Sequence, residues 1–316
     1  TYEPAKLIAQ AYELGIKSLA LTNINSTADC WDFVRKCQEV GIKPIIGTEV
    51  RNEDIFCYVL LAKNNAGLLA IHTFLSYHKQ KNIPFPARPS FTAKDVWVIY
   101  RYEEHILQQQ LGAHELIGLD IPHLNNLTWQ LHLELDKYVI LHPVTIQDKT
   151  YYDVHRILRA IAKNTLLSKL TKSDYAGEGE VLLEEQELVG AFARFPSVIS
   201  KTMQVVNSCF IEMEFHTDKN RKYFTTSEED DSALLHKLAM EGCKVRYGLR
   251  NKEAVERVEK ELKMIADLGF NAYFLIVWDI LRYANERGFY HVGRGSGANS
   301  VVAYCLRITD VDPIKL

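Results

Sequence analysis

The stretch Ala11-Tyr-Glu-Leu-Gly-Ile-Lys-Ser-Leu-Ala-Leu21 recurs as Cys37-Gln-Glu-Val-Gly-Ile-Lys-Pro-Ile-Ile-Gly47. In both copies an amphipathic helical pattern ends at a glycine, and Ile-Lys then leads into a short apolar strand. Helix-to-strand units of this kind build parallel sheets and barrels. A further strand is predicted at residues 55–62, so the first part of the chain indicates an α/β architecture.

Helical patterns dominate after residue 184. Ser227 is predicted to cap a helix that carries three leucines, and a helix over residues 252–268 is predicted to bury one apolar stripe. The leucines are Leu234, Leu235 and Leu238, and the stripe is Val255, Val258, Leu262 and Ile265. In the first part, a helix near residues 153–161 carries Val154, Ile157, Leu158 and Ile161 on one face. The polar residues 217–222 are the predicted connection, and the domain boundary is placed near residue 208.

Composition excludes several classes of protein. The 316 residues are 47% hydrophobic, enough to fill two cores, and 37 basic side chains nearly balance 40 acidic ones. This balance argues against holding duplex DNA by bulk positive charge. No apolar run approaches the roughly 20 residues of a membrane span, so neither a membrane span nor a signal peptide is expected. Six cysteines without a Cys-x-x-Cys pair favour a reduced, cytoplasmic setting.

A glycine-rich loop, Gly293-Arg-Gly-Ser-Gly-Ala-Asn-Ser300, lies between two apolar segments. Glycine lets backbone N–H groups approach an anion, the serine hydroxyls add donors, and Arg294 adds a fixed positive charge. The pattern therefore predicts a phosphate site for a nucleoside triphosphate or a nucleic-acid backbone. Tyr273, Phe274 and Trp278 before the loop have a helical spacing that predicts core packing rather than base stacking.

The segments around this loop carry a family resemblance. Gly269 to Ala284, the loop, and Val301-Val-Ala-Tyr-Cys-Leu-Arg-Ile-Thr-Asp-Val-Asp-Pro313 closely resemble the opening of the palm of bacterial C-family polymerases, the DNA polymerase III alpha subunits. Upstream, residues 41–50, 59–64 and 195–202 resemble the second strand, third strand and exit helix of that family's PHP domain. The resemblance implies a PHP-type distorted (β/α) barrel over residues 1–208, followed over residues 209–316 by a mostly helical first part of the palm.

The resemblance implies a PHP metal site, but its ligand pattern is broken in this chain. Where the family carries Thr-Asp-His, this chain reads Thr22-Asn23-Ile24, and a family histidine falls on Cys57. The family's Asp-x-His falls on Pro143 and Thr145, whereas Glu49 keeps a ligand-like position. His142 and His155 are interpreted as packed or surface residues. The PHP domain is therefore expected to be a scaffold without bound metal, with Glu49 as the one metal-ligand candidate.

By the same resemblance, Gly295 and Ser296 contact the triphosphate of the incoming nucleotide, while Gly293, Arg294 and Gly297 shape or charge the pocket. The family's Gly-Pro before the loop is replaced by His291 and Val292, which predicts a differently set loop. The catalytic aspartates that hold Mg²⁺ in the family are expected after Leu316. Asp310 and Asp312 match a different family element and are interpreted as turn or cap residues.

Three functions remain open from the sequence. The first is part of a DNA-directed DNA polymerase, replicative or error-prone, that uses Mg²⁺, dNTP and primer-template DNA and meets a sliding clamp and other replisome subunits. This part alone is not expected to polymerise. The second is a PHP metal-dependent phosphoesterase or proofreading nuclease. The third is a non-catalytic scaffold that docks a proofreading exonuclease at the PHP domain.

Overall fold

The computed structural model describes residues 3–103, 106, 110–127, 135–215, 217, 219–248 and 250–315, without the side chains of residues 126, 127, 149 and 296. The chain divides into two compact units, Thr1–Phe215 and His216–Leu316. The predicted domain boundary near residue 208 stays a prediction. The predicted connection at 217–222 includes residue 218, which lies outside the described residues, and the rest of it has no helix or strand.

The first unit is built on a six-stranded sheet whose strand order follows the sequence. Its first two strands run parallel, the second to fourth are antiparallel neighbours, and the fourth to sixth are parallel. The strands are β1 Ser18–Leu21, β2 Lys43–Asn52, β3 Ile55–Ala62, β4 Val96–Arg101, β5 Glu115–Leu119 and β6 Tyr138–Ile140. The strand predicted at residues 55–62 is confirmed, as is the α/β architecture.

The described helices of the first unit are α1 Pro4–Glu13, α2 Cys30–Glu39, α3 Asn65–Lys81, α4 Leu124–Leu127, α5 Lys149–Ala162, α6 Glu185–Ala191 and α7 Pro196–Ser208. The repeated sequence unit explains how α1 and α2 end. Gly15 and Gly41 have φ of +69° and +73°, and the residue after each glycine donates its N–H to a carbonyl one turn back. This left-handed helix end suits glycine, so the prediction that both helices end at a glycine is confirmed.

Both faces of the sheet are buried. Adjacent residues of a strand point to opposite faces, so neighbouring residues enter different cores. Ile46 and Leu60 belong to the core that also contains residues of α1, α2 and α3. Their neighbours Ile45 and Val59 belong to the core on the other face, which contains Val205 of α7. A fully buried side chain such as Leu60 contributes about 1.5–3 kcal/mol.

Helix α5 shows the reverse of ordinary amphipathic packing. It forms as predicted, but its apolar face is exposed, with Tyr151, Val154, Ile157, Leu158 and Ile161 between 39% and 69% accessible. The polar side makes the contacts that hold the helix: Arg159 pairs with Asp54 at 2.8 Å, and Lys163 pairs with Asp54 at 2.9 Å and Asp174 at 2.7 Å. These five exposed residues are called the α5 stripe below.

The second unit is helical in its described part, with α8 Glu228–Tyr247, α9 Lys252–Asp267, α10 Asn271–Glu286 and α11 Val301–Cys305. Ser227 caps α8 by accepting the N–H of Asp230 at 3.1 Å, as predicted. Val258, Leu262 and Ile265 of α9 are buried, and Val255 packs against the same core. Helices α8 and α11 approach so closely that a Cβ on Gly242 would lie 2.1 Å from the carbonyl oxygen of Cys305.

The aromatic residues of α10 divide between core and surface. Phe274 and Trp278 pack against the core of the second unit, which confirms the prediction for them. The prediction was wrong for Tyr273, whose side chain is exposed and meets Phe270 and Phe274 edge to face.

Within the described residues no single helix could cross a membrane. Helices α9 and α10 are long and apolar enough for a span only when taken together, and the chain bends by 114° between them.

Candidate functional site: the glycine-rich loop and the Glu49 position

The glycine-rich loop, residues 293–300, links α10 to α11 within the second unit. Gly295 has φ +83° and ψ −171°, a conformation that is open essentially to glycine alone. A short 3₁₀ turn follows over Ser296–Asn299. A Cβ on Gly293 would lie 3.1 Å from both the carbonyl oxygen of Ile308 and the Cβ of Thr309, so the loop begins against the segment that follows α11.

The loop presents donors that the described residues leave unused. The N–H groups of Ala298 and Ser300 close the 3₁₀ turn on Gly295 and Gly297 carbonyls, whereas no described acceptor engages the N–H groups of Arg294, Gly295 and Gly297. Arg294 is exposed, and its guanidinium has no partner among the described side chains. The side chain of Ser296 lies outside the described residues. Open amides and a free cation are what anion binding at a glycine loop requires.

Ser300 has a structural role that the sequence analysis did not anticipate. Its hydroxyl donates to Glu261 Oε2 at 2.8 Å and accepts the N–H of Ala303 at 3.1 Å, which caps α11. Glu261 also accepts the N–H of Val302 at 3.2 Å and lies 3.8 Å from Arg257. The expectation that the Ser300 hydroxyl donates to phosphate was therefore wrong, because its proton is already directed at a carboxylate.

Where the family has Gly-Pro before the loop, this chain makes a contact from a histidine side chain to a backbone carbonyl. His291 Nε2 lies 3.4 Å from the carbonyl oxygen of Arg307, and Val292 is 78% exposed. Asp310 pairs with Arg246 at 2.8 Å, and Asp312 accepts the Tyr247 hydroxyl at 2.7 Å and the N–H of Ile314 at 3.0 Å. The last contact is an Asx turn, so the interpretation of Asp312 as a turn residue is confirmed.

Glu49, the metal-ligand candidate, lies on β2 and is partly buried. Its carboxylate forms a direct ion pair with the Arg51 guanidinium two residues along the same strand. Its backbone bonds to Asn23 and Asn25 from the segment that follows β1. A guanidinium thus neutralises the carboxylate at the place where a metal ion would have to bind.

The other positions implied by the PHP resemblance do not supply ligands. Asn23 donates its amide to the carbonyl of Ala28, and Cys57 contacts the carbonyl of Ile55. The Thr145 hydroxyl donates to Glu180 at 2.5 Å. In the part of the chain that the structure describes, no three His, Cys, Asp or Glu side chains come together in a way that could hold a metal ion. The residues present therefore do not fit the metal that a PHP fold implies.

The two histidines, His142 and His155, are partly buried and make hydrogen bonds within the first unit. His142 Nδ1 lies 2.7 Å from Asp120, and its Nε2 lies 2.9 Å from the carbonyl of Val181. Burial opposes the imidazolium, but these hydrogen bonds outweigh it and raise the pKa of His142. His155 accepts the N–H of Ala176 at 3.0 Å, and burial lowers its pKa. Both nitrogens of the His142 ring are therefore engaged, and Nε2 of His155 is engaged by the Ala176 amide.

Sequence reasoning missed three residues at these sites. No short motif encodes the contact of Arg51 with Glu49 or that of Glu261 with Ser300. The second contact joins residues that are 39 positions apart. Arg307 follows α11 with φ +60°, and an arginine gives no local signal for that conformation. A positive φ is typically signalled by Gly, Asn or Asp.

Two family models match this chain. Residues 1–212 match the PHP domain, and residues 233–316 match the bacterial DNA polymerase III alpha NTPase domain. Because the first match spans well over half of the chain, the chain belongs to the PHP-domain family. The predicted fold, a PHP-type α/β unit followed by a helical part, is thereby confirmed. The first unit is called the PHP unit from here on.

Curated relatives cover nearly the whole chain. It is 28% identical to the DNA polymerase III subunit alpha of Halalkalibacterium halodurans, over 98% of this chain and 30% of the relative. It is 26% identical to the error-prone DNA polymerase of Symbiobacterium thermophilum, over 98% of this chain and 33% of the relative. The same subunit alpha from Bacillus subtilis is 26% identical, with 98% and 31% covered. The resemblance to C-family polymerases is confirmed, and the chain spans about a third of these relatives' length.

Proposed function

We propose that this chain supplies the PHP unit and the opening of the palm of a bacterial DNA-directed DNA polymerase. The reaction is transfer of dNMP from dNTP to a primer 3′-hydroxyl, on primer-template DNA. The observation that supports this most is the glycine-rich loop, with its unengaged amides and the unpaired Arg294. The relatives include both a DNA polymerase III subunit alpha and an error-prone DNA polymerase, and the proposal covers either kind.

In this proposal the loop holds the triphosphate of the incoming nucleotide. The backbone N–H of Gly295 donates to phosphate oxygen, and the absence of a side chain lets the phosphate approach. Arg294 adds a positive charge whose planar guanidinium matches phosphate oxygens. Gly293 keeps the loop against the Ile308 carbonyl and the Thr309 side chain, and Gly297 carries an open amide in the 3₁₀ turn. Ser296 is assigned a contact with the triphosphate by resemblance.

Magnesium ions, when bound, stabilise the charge that develops in nucleotidyl transfer. The described carboxylates of the second unit do not fit that task. Asp310 and Asp312 are engaged by Arg246 and Tyr247, and no metal-binding group of three forms among the described residues. The proposal therefore assigns Mg²⁺ ligation to carboxylates of the polymerase outside residues 1–316. It assigns to this chain the binding and orientation of the triphosphate.

Primer extension by the intact polymerase tests the proposal. Gly295→Ala should force the loop out of shape, and Arg294→Ala should remove a charge-assisted contact. Each should therefore lower kcat/KM for dNTP by about tenfold or more. Lys237→Ala is the matched control, since it removes one exposed charge from α8, away from the loop sequence. Unchanged kcat/KM in both loop variants would overturn the assignment.

The PHP unit is proposed to be a scaffold rather than a hydrolase. The Arg51–Glu49 ion pair, the two hydrogen bonds of the His142 ring and the bond to His155 Nε2 support this. Metal analysis and a phosphodiesterase assay on the purified chain test it, with EDTA expected to leave its melting temperature unchanged. Stoichiometric bound metal together with hydrolysis would favour the competing phosphoesterase or proofreading-nuclease function.

The α5 stripe favours a docking role for this scaffold. An exposed apolar helix face, held from behind by ion pairs, is typical of a surface that a protein partner covers. The proposed occupant is a proofreading exonuclease, within a cytoplasmic replisome that also contains a sliding clamp. Ile157→Ser and Ile161→Ser should abolish its capture in a pull-down, whereas Ile55→Ser, an exposed isoleucine on β3, should not. Equal capture by all three variants would place the exonuclease elsewhere.

A further inference from the structure

Arg307 has a backbone conformation that its side chain does not favour. Six described residues other than glycine have positive φ, and four of them are Asn or Asp, whose short polar side chains tolerate this region. Arg307, with φ +60°, has no such local reason. An outlier of this kind is a reason to look for a function.

The conformation arises because Arg307 ends helix α11. Its N–H bonds to the carbonyl of Tyr304 at 3.2 Å, and the next N–H, of Ile308, bonds back to Ala303 at 2.8 Å. This is the left-handed helix end at which glycine is the usual residue. Gly15 and Gly41 occupy the equivalent place after α1 and α2 in this same chain. The chain thus uses an arginine where glycine would be less strained.

The backbone of Arg307 lies against the start of the glycine-rich loop. Its carbonyl oxygen is 3.4 Å from His291 Nε2, and the two residues after it pack on Gly293. Its side chain is exposed, and no hydrogen bond or ion pair to another described residue engages the guanidinium. Arg294, the other cation at this loop, is likewise exposed and unengaged.

We infer that Arg307 is a second phosphate-binding cation of the triphosphate site, acting together with Arg294. Two arginines whose backbones lie at one loop suit a ligand with several negative charges, because a guanidinium offers paired N–H donors to phosphate oxygens. This inference rests on the proposed function of the loop and adds to it a residue that follows α11. It also gives a reason for an arginine at a strained helix end.

The substitution Arg307→Gly separates binding from folding. It removes the charge and the strain together, so the melting temperature should rise by roughly 4 °C. The affinity of the 316-residue chain for dATP, and for inorganic tripolyphosphate as a probe of phosphate alone, should fall by about five- to tenfold. A purely structural arginine at a helix end would not lower affinity while stability increases. Arg307→Lys keeps the charge but loses the paired donors, so its affinity should lie between those of the unsubstituted chain and Arg307→Gly, whereas Lys237→Ala should keep all of the affinity.

Isothermal titration of these variants at constant ionic strength decides the matter. Weaker binding by a more stable Arg307→Gly protein supports the inference. Unchanged binding by Arg307→Gly, together with weaker binding by Arg294→Ala, overturns the role of Arg307 and leaves the proposed function of the loop intact. No saturable binding of either probe by the unsubstituted chain overturns both.

Discussion

Buried Glu115 is predicted to make folding of the PHP unit sensitive to acid. Its side chain is almost fully buried on β5, where it accepts hydrogen bonds from Arg88 Nε at 2.7 Å, from the N–H of Gly112 at 2.6 Å and from the Tyr100 hydroxyl at 2.9 Å. Burial opposes the charged carboxylate, but these donors outweigh it and lower the pKa of Glu115 to about 2.

The size of the effect follows from linkage. A fall from the ordinary pKa of 4.5 to about 2 corresponds to about 3 kcal/mol of unfolding free energy. Because the pKa is lower in the folded state, this stabilisation is complete above about pH 4.5. It is lost as the pH falls towards 2, where the folded carboxylate also takes up a proton. Glu115→Gln imitates that protonated state at every pH.

Urea unfolding followed by tryptophan fluorescence, with Trp97 on β4 as a reporter in the same sheet, measures this at several pH values. The wild-type chain should be about 3 kcal/mol more stable than Glu115→Gln near pH 6, and the difference should close as the pH approaches 2. The exposed Glu39→Gln, at the end of α2, should behave as wild type. A difference between wild type and Glu115→Gln that stays constant with pH would refute the reasoning.

Three further variants test packing, surface and capping. Gly242→Ala should lower the unfolding free energy by about 1–3 kcal/mol in urea titrations, because its Cβ would clash with the carbonyl of Cys305; wild-type stability would contradict that packing. Ile161→Ser, in the α5 stripe, should change stability by less than about 0.5 kcal/mol in the same assay, and a loss above about 2 kcal/mol would mean that the side chain is buried. Ser300→Ala should cost about 1 kcal/mol, since the α11 cap and the bond to Glu261 are lost, and a stability equal to that of wild type would rule out the cap.

The sequence predicted most where local rules decide the structure. The helices before Gly15 and Gly41 end through local hydrogen bonds, so both helix ends could be predicted without the rest of the chain. Ser227 caps α8 for the same reason. The buried stripe of α9 was predictable because its apolar spacing is regular and its core lies within the same unit.

Prediction failed where distant residues decide. The periodicity of α5 identifies an apolar face but not what covers it, and the ion pairs to Asp54 and Asp174 hold the helix by its other side. The local pattern of glycines identified the glycine-rich loop, but the bond from Ser300 to Glu261 of helix α9 has no local signal. The sequence alone showed that the residues at the PHP metal-ligand positions differ from the family pattern. That Arg51 pairs with Glu49 was visible only in the structure.

The central claim is that the glycine-rich loop binds the triphosphate of a nucleotide. The most direct test is calorimetric titration of the 316-residue chain with dATP, beside Arg294→Ala and Gly295→Ala. The account predicts saturable binding by the unsubstituted chain, weakened about tenfold in Arg294→Ala and at least as much in Gly295→Ala, with all three chains folded by circular dichroism. Equal affinity in the three chains, or no binding to the unsubstituted one, would contradict it.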